Sequence, residues 1–402
     1  MPRVQCLPPI NPKSTRACGD KRYAHAIPAP ARGLLFRRLV SAPRAVCEPL
    51  RIAQVSPLYE SVPPRRYGGT ERVVSYLTEE LVAQGHDVTL FASGDSRTSA
   101  RLVAATPRAL RLDKRCRDPL AHHIVMIDQV FARQDRFDLI HFHCDYLHFP
   151  LSRRSRTPTL TTLHGRLDLP DLEPLYREYA EMPLVSISDA QREPIPRANW
   201  RATIHHGIPA GIARLYPDPG RYLAFVGRVS PEKRVDRAIE IARAVGLPLK
   251  IAAKVDAADR DYFDQVVRPL LSGPGIEFVG EIAEEDKDAF LGNALALLFP
   301  IEWPEPFGLV MIEAMARGTP VIAFSGGSVR EVVERGITGF VVGEISEAVE
   351  AVERIPSLDR AAIRREFERR FTADRMARDY EALYVRQIEE RARKACEPAS
   401  MT

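Results

Sequence analysis

The chain has 402 residues, 45% of them apolar, and a formal charge of +4, a size that predicts two or three domains with ample core. No run approaches the roughly 20 apolar residues of a membrane-spanning helix. Nine Lys or Arg against two acids sit in residues 1–50, which leaves the body near −3 and excludes nucleic-acid binding by charge. The six cysteines are scattered without a C-x2-C pair, so neither a zinc ribbon nor a disulfide framework is indicated, and a reducing cytoplasm is the default.

Residues 1–50 are basic, Pro-rich and without hydrophobic periodicity. They read as a disordered tail, an Arg-rich targeting peptide or an over-extended reading frame. The last two rank above a folded domain, with over-extension first. No Met lies between Met1 and Met126, so a later start would use another codon, and whether 1–50 belongs to the mature protein stays open.

From Ile52 the pattern changes. Ile52 to Val55 is a short buried strand, Pro57 to Gly69 a loop, and Thr70 to Ala83 a helix that stops at Gly85. Val88 to Ala92, Leu139 to His143 and Thr159 to Leu163 are further strands with helical patterns between them. Repeated β-α-β predicts an α/β fold on a parallel, doubly wound sheet. Tyr67-Gly68-Gly69-Thr70-Glu71 joins the first strand to its helix. Its glycines let backbone amides approach a ligand, Thr70 serves as N-cap, and Glu71 reads as a first-turn acid. His164 stands at a strand's C-terminal end, where open α/β sheets bind ligands. His141 and His143 end the preceding strand, are expected on opposite faces, and so are expected to be poor joint metal ligands.

Pro217 to Gly220 reads as a linker. The alternation then restarts, with strands at Tyr222 to Val226, Leu249 to Ala253, Ile276 to Val279, Ala296 to Phe299, Val321 to Ala323 and Gly339 to Val342. A last helix runs from Asp374 to about Ala395. The first of these strands ends in the basic turn Gly227 to Arg234. The fourth feeds Glu305-Pro306-Phe307-Gly308-Leu309-Val310-Met311-Ile312-Glu313, in which two carboxylates stand eight residues apart across a turn that opens a helix. Gly308 permits close approach to the backbone, and the first helical N–H groups can face an anion. Glu305 sits at the mouth and Glu313 roughly two turns further in, at about 1.5 Å per residue. A polyol ligand with a phosphate between two sugars suits that spacing.

That stretch resembles the E-x7-E signature of family 4 (GT4, group 1 type) retaining glycosyltransferases of GT-B fold. The resemblance runs from about Arg51 to about Ile388. Gly227-Arg228 and Lys233 resemble the family's G-R-x4-K element, Gly68-Gly69 with Glu71 its GG-x-E loop, and His164 its active-site histidine. Ser186-Ile187-Ser188 and Ser325-Gly326-Gly327 resemble two more family turns. Ser328 replaces the usual Pro there, and His206 and Pro209 depart from the usual hinge Asn and Asp. The resemblance implies two Rossmann-like doubly wound domains facing each other across a cleft. The acceptor domain would cover 51–216, the nucleotide-sugar domain 217–372, and 373–402 would cross back to the first. It also implies that Arg228 and Lys233 hold a nucleoside diphosphate. Glu305, Gly326 and Gly327 would hold the sugar, Gly280 the nucleotide, Glu313 the ribose and His164 the transferred sugar. Gly68, Gly69, Gly227, Phe307, Gly308, Leu309 and Ser325 would line the donor.

The expected reaction moves a sugar from a nucleoside-diphosphate donor such as UDP-glucose to an acceptor of open identity: lipid, glycan or small molecule. No protein nucleophile, cofactor or metal is expected. Asp259-Arg260-Asp261 and Asp286-Lys287-Asp288 match D-x-D but fall on helices and read as solvated acidic surface. Peripheral membrane contact from the cytoplasm is compatible with such a role. Two alternatives are a catalytically silent nucleotide-sugar-binding module and an NAD-dependent oxidoreductase. The intact Arg, Lys and Glu set argues against the first, and the absence of G-x-G-x-x-G against the second.

Overall fold

The computed structural model describes residues 48–65 and 68–396, Ala395 by its backbone alone; the expectations for the basic segment before Glu48 and for Tyr67 fall outside them. Seven strands form one parallel sheet: β1 (Arg51–Val55), β2 (Asp87–Ser93), β3 (Arg101–Thr106), β4 (Leu139–Phe142), β5 (Thr159–Thr162), β6 (Leu184–Ser186) and β7 (Trp200–Thr203). Six form a second: β8 (Leu223–Arg228), β9 (Leu249–Lys254), β10 (Ile276–Gly280), β11 (Ala296–Phe299), β12 (Val321–Phe324) and β13 (Gly339–Val342). Their orders are β3-β2-β1-β4-β5-β6-β7 and β10-β9-β8-β11-β12-β13. Central strands such as β4, β5, β11 and β12 are buried throughout, as a sheet covered on both faces requires.

Three strands were not legible in the pattern: β6, only three residues long, and the two edges β3 and β7. β3 is half exposed without clean alternation, and β7 is four residues of intermediate exposure. An edge strand packs on one side, so its apolar signal is weak.

In each sheet the strand order reverses once, between β1 and β4 and between β8 and β11. Ligand crevices of open α/β sheets form at the strand ends beside such a reversal. The Gly68-Gly69 loop, His143, His164, the Gly227 to Lys233 turn and the Glu305 to Glu313 stretch each follow one of these strands or its neighbour.

The chain crosses from the first sheet to the second at Ile208, earlier than Pro217. It returns alongside: the Ile208 N–H donates to Phe371 O at 2.9 Å, and the Ala373 N–H donates to Ile208 O at 2.9 Å. Gly207 allows this, since a Cβ there would lie 2.2 Å from Thr372 O. Pro217 to Gly220 already packs on the second half, where a Cβ on Gly220 would lie 1.8 Å from Asn293 O. Arg360 pins that segment, donating to the carbonyls of Tyr216, Gly292 and Ala294 at 2.6, 2.7 and 3.0 Å. Burial lowers its pKa to about 10.

The last helix, Ala373–Cys396, buries Met376, Ala377, Tyr380, Leu383 and Tyr384 among Ile52, Leu77 and Val185 of the first half. Their three-and-four spacing is one stripe of a helix.

Candidate active site

A cavity of about 580 Å³ opens between the two sheet reversals. The first half contributes Gly68, Gly69, Glu71, Arg72, His143, His164 and His206, and the second Gly227, Arg228, Lys233, Lys287, Glu305, Phe307, Gly308, Leu309 and Glu313. Contacts also join the halves beside it. Arg72 pairs with Glu284 at 2.9 Å, and the Ser188 hydroxyl donates to Pro306 O at 2.7 Å.

The cations of the basic turn face carboxylates. The Lys233 ammonium pairs with Glu305, which also accepts from the Trp303 indole N–H at 2.8 Å. Arg228 donates to Glu232 at 2.7 Å and faces Asp259 at 3.5 Å. Gly227 leaves the backbone open beside them, because a Cβ there would meet nothing closer than Phe225 at 3.7 Å.

Gly308 caps the helix Leu309–Met315 with φ +79°, the left-handed region that glycine adopts freely. A Cβ there would also lie 2.7 Å from the Met311 methyl. The helix carries Glu313 to the cavity floor, where Lys287 pairs with it at 2.9 Å. Burial alone would raise the Glu313 carboxyl, but Lys287, Arg72 and Arg317 outweigh it and hold the pKa below the usual carboxylate value. At Glu71 burial outweighs the pull of Arg111 and raises the carboxyl, although the Glu60 N–H donates to it at 3.3 Å.

His164 reaches the cavity just beyond β5, and burial pushes its pKa down to about 3. Its Nε2 lies 2.9 Å from His143 Nδ1, and its ring stacks on His206 with centroids 5.2 Å apart. Burial holds His141, His143 and His206 well below the ordinary histidine value. The site is therefore a slot with neutral imidazoles on one wall and the cation–carboxylate pairs of Arg228, Lys233 and Lys287 on the other.

Known protein families answer to both halves of this slot. Residues 67–204 match the model described as Glycosyltransferase Family 4, and residues 214–370 match Glycosyl transferases group 1. The chain belongs to the family 4, group 1 glycosyltransferases. A phosphatidyl-myo-inositol mannosyltransferase of Mycolicibacterium smegmatis is 26% identical over 326 residues, covering 73% of this chain and 81% of the relative. The fold is that of GT-B enzymes. AviGT4, a glycosyltransferase involved in avilamycin A biosynthesis, superposes with a TM-score of 0.66 at 24% identity, covering 85% of this chain and 98% of its own. Anabaena HepE, solved in complex with UDP and glucose, does so at 0.65 and 17% identity, covering 83% and 98%. The two family matches meet on either side of Ile208, where the glycosyltransferase crosses between its sheets.

Four of the residues expected at the donor do not line the cavity. Gly280 ends β10 with φ +76°, and its neighbours Glu281 and Ile282 line the cavity instead. Ser325 borders a separate surface hollow with Arg330 and Glu347. Gly326 and Gly327 lie behind Glu305 rather than on the ligand side. A Cβ on Gly327 would stand 2.2 Å from Glu305 O, and one on Gly326 2.7 Å from Trp303 O. Ser328, in place of the usual Pro, completes this brace: its N–H donates to Glu305 O at 2.9 Å and its hydroxyl to Phe307 O at 2.8 Å.

The reading of both D-x-D motifs as solvated surface holds for Asp261 and Asp286 only. Asp259 faces Arg228, and Asp288 accepts from the Tyr216 hydroxyl at 2.8 Å and pairs with Arg317 at 3.2 Å. His141 and His143 share a face, their rings 4.1 Å apart, because side chains two residues apart in a strand point the same way. Missed altogether were Arg72, Trp303 and Lys287. Lys287 had a signal: it lies three residues after Glu284, on the helix face that turns to the cleft.

Proposed function

We propose that this glycosyltransferase is a retaining enzyme that uses a nucleoside-diphosphate sugar, with UDP-glucose the first candidate, and needs no metal. The observation that supports this best is the pairing of Arg228 and Lys233 on one loop opposite Glu305 and Glu313. Two fixed cations suit the diphosphate leaving group, whose charge grows in the transition state. Arg228 offers a planar fork and Lys233 a point charge. Glu313 takes the ribose hydroxyls and Glu305 the sugar hydroxyls, its backbone held by the Gly326-Gly327 turn. His164 contacts the transferred sugar from the opposite wall.

In the proposed step the acceptor oxygen bonds to the anomeric carbon on the face from which the phosphate leaves. The bond from that carbon to the phosphate oxygen breaks, and the acceptor's hydroxyl proton passes to the departing phosphate. Glu305 lies against Lys233 and the Trp303 indole, so it is assigned a binding role rather than that of a nucleophile. Closure of the halves excludes water that would otherwise hydrolyse the donor.

The acceptor enters along the first half. There the helix Pro119–Phe131 exposes Leu120, Ile124 and Val125 at 50, 51 and 54%, just after the exposed Lys114, Arg115 and Arg117. An apolar face beside basic residues suits the surface of an anionic membrane. It supports a peripheral placement, with the acceptor a lipid or a membrane-borne glycan. Among the described residues no helix is long and apolar enough to cross a membrane.

The test is thermal stabilisation by a panel of nucleotide sugars in EDTA. A true donor at 100 times its dissociation constant adds about 2.7 kcal/mol. Silence across the panel removes the donor reading, and stabilisation only after Mn²⁺ or Mg²⁺ removes the metal-free part of it.

A further inference from the structure

Behind the cavity wall runs a buried chain of polar groups that connects the last helix to His164. Gln54 of β1 is its centre. The Gln54 amide Nε2 lies 3.0 Å from the Tyr384 hydroxyl, and its Oε1 lies 2.8 Å from His143 Nε2. On one side the chain continues from His143 Nδ1 to His164 Nε2 at 2.9 Å. On the other, the Tyr384 hydroxyl lies 2.7 Å from His141 Nδ1, and His141 Nε2 lies 2.7 Å from the Thr162 hydroxyl.

The direction of each bond follows from one atom. An amide oxygen only accepts, so His143 carries its proton on Nε2. A neutral imidazole has one N–H, so His143 Nδ1 accepts and His164 Nε2 donates. His164, neutral in its turn, keeps a lone pair on Nδ1, a buried atom beside the cavity that has no protein partner. On the far side the Gln54 N–H₂ donates to Tyr384, Tyr384 donates to His141 Nδ1, and the His141 Nε2–H donates to Thr162. The Tyr384 and Thr162 hydroxyls can each donate or accept, so the sense is set by the placement of the Gln54 Nε2 on Tyr384 and of its Oε1 on His143. Turning that amide over would reverse them all and make His164 Nδ1 a donor.

We propose that Gln54 and Tyr384 are positioning residues that fix His164 as its Nε2–H tautomer, so that the buried, unpartnered Nδ1 keeps its lone pair for a sugar hydroxyl that reaches it from the cleft. Tyr384 belongs to the helix that returns from the second half. The hydrogen-bonding sense of a cavity residue is thereby set by the last element of the chain. The role of that lone pair rests on the donor site proposed above. The tautomer itself does not, and is read without any transfer.

The experiment uses the full chain with ¹⁵N-labelled histidine. Two-bond ¹H–¹⁵N correlations separate a protonated from an unprotonated ring nitrogen, and His164→Asn identifies the His164 signals by their loss. Wild type should show a protonated Nε2 and an unprotonated Nδ1. Tyr384→Phe keeps the ring volume but frees the amide to turn. It should shift His164 toward a mixture of tautomers and lower kcat/KM for the donor on the order of tenfold, the scale of one hydrogen bond. Gln54→Leu should do the same. A protonated Nδ1 in wild type overturns the proposal. So does an unchanged His164 pattern in Tyr384→Phe, which decides the matter if Gln54→Leu does not fold. Altered tautomers with unchanged kcat/KM would remove the positioning role and leave the donor site intact.

Discussion

Lys233 and Arg228 serve the proposed reaction through charge, and each is held by a carboxylate that does not belong to the ligand. Replacing either by Ala should therefore cost about 2–4 kcal/mol of transition-state stabilisation, the range for a preorganised donor to developing charge. The measurement is kcat/KM for each variant with the donor identified by the panel; wild-type values in both would remove the diphosphate role. These residues were legible because their chemistry depends on close sequence spacing: a strand, a glycine, then two cations on one turn. Glu305 and Glu313 were legible for the same reason. Lys287, Arg72 and Trp303 were not, since their placement depends on which helix face turns to the cleft and on how the halves meet. Gly326 and Gly327 were legible as a tight turn but not as a brace, because a glycine pattern shows close approach without showing what approaches.

At the scale of elements, the brace has its own test. Gly327 has φ +52° and sits against the Glu305 backbone. Gly327→Ala should push that backbone toward the cavity and cost roughly 1–3 kcal/mol of stability through overpacking. Transfer should fall further than stability does, since Glu305 and Phe307 both move. Thermal melting measured beside kcat/KM at a temperature where the variant stays folded separates the two, and unchanged kinetics would leave the turn a purely structural role. Most strands were legible as short apolar or β-branched runs between turns, such as Thr159 to Thr162 and Ala296 to Phe299, whereas β6 is only three residues and the edge strands β3 and β7 are only partly buried. The crossing at Ile208 was read too late in the chain. Pro217 to Gly220 has the composition of a linker, but its backbone is packed on Asn293 and held by Arg360, and no local pattern reports that.

The whole molecule keeps His141, His143, His148 and His206 buried and neutral. Burial lowers all four, His148 to about 3. Below the unfolded value of about 6.5 the unfolded chain binds protons that the folded one refuses, so stability present above that pH is lost as pH falls. Each histidine contributes up to about 1.4 kcal/mol per pH unit in that window. The urea midpoint should accordingly drop steeply between pH 7 and pH 5.5, and a flat or rising profile would show that these rings are solvated or paired with acids. In the proposed reaction both halves close on one donor, and the stereochemistry of the transfer reports on the site as a unit. Proton NMR of slow donor hydrolysis, with water as acceptor, shows which anomer of the sugar forms first. From an α-linked donor such as UDP-glucose the account predicts the α-anomer, followed by mutarotation; the β-anomer appearing first would contradict front-face departure from Arg228 and Lys233.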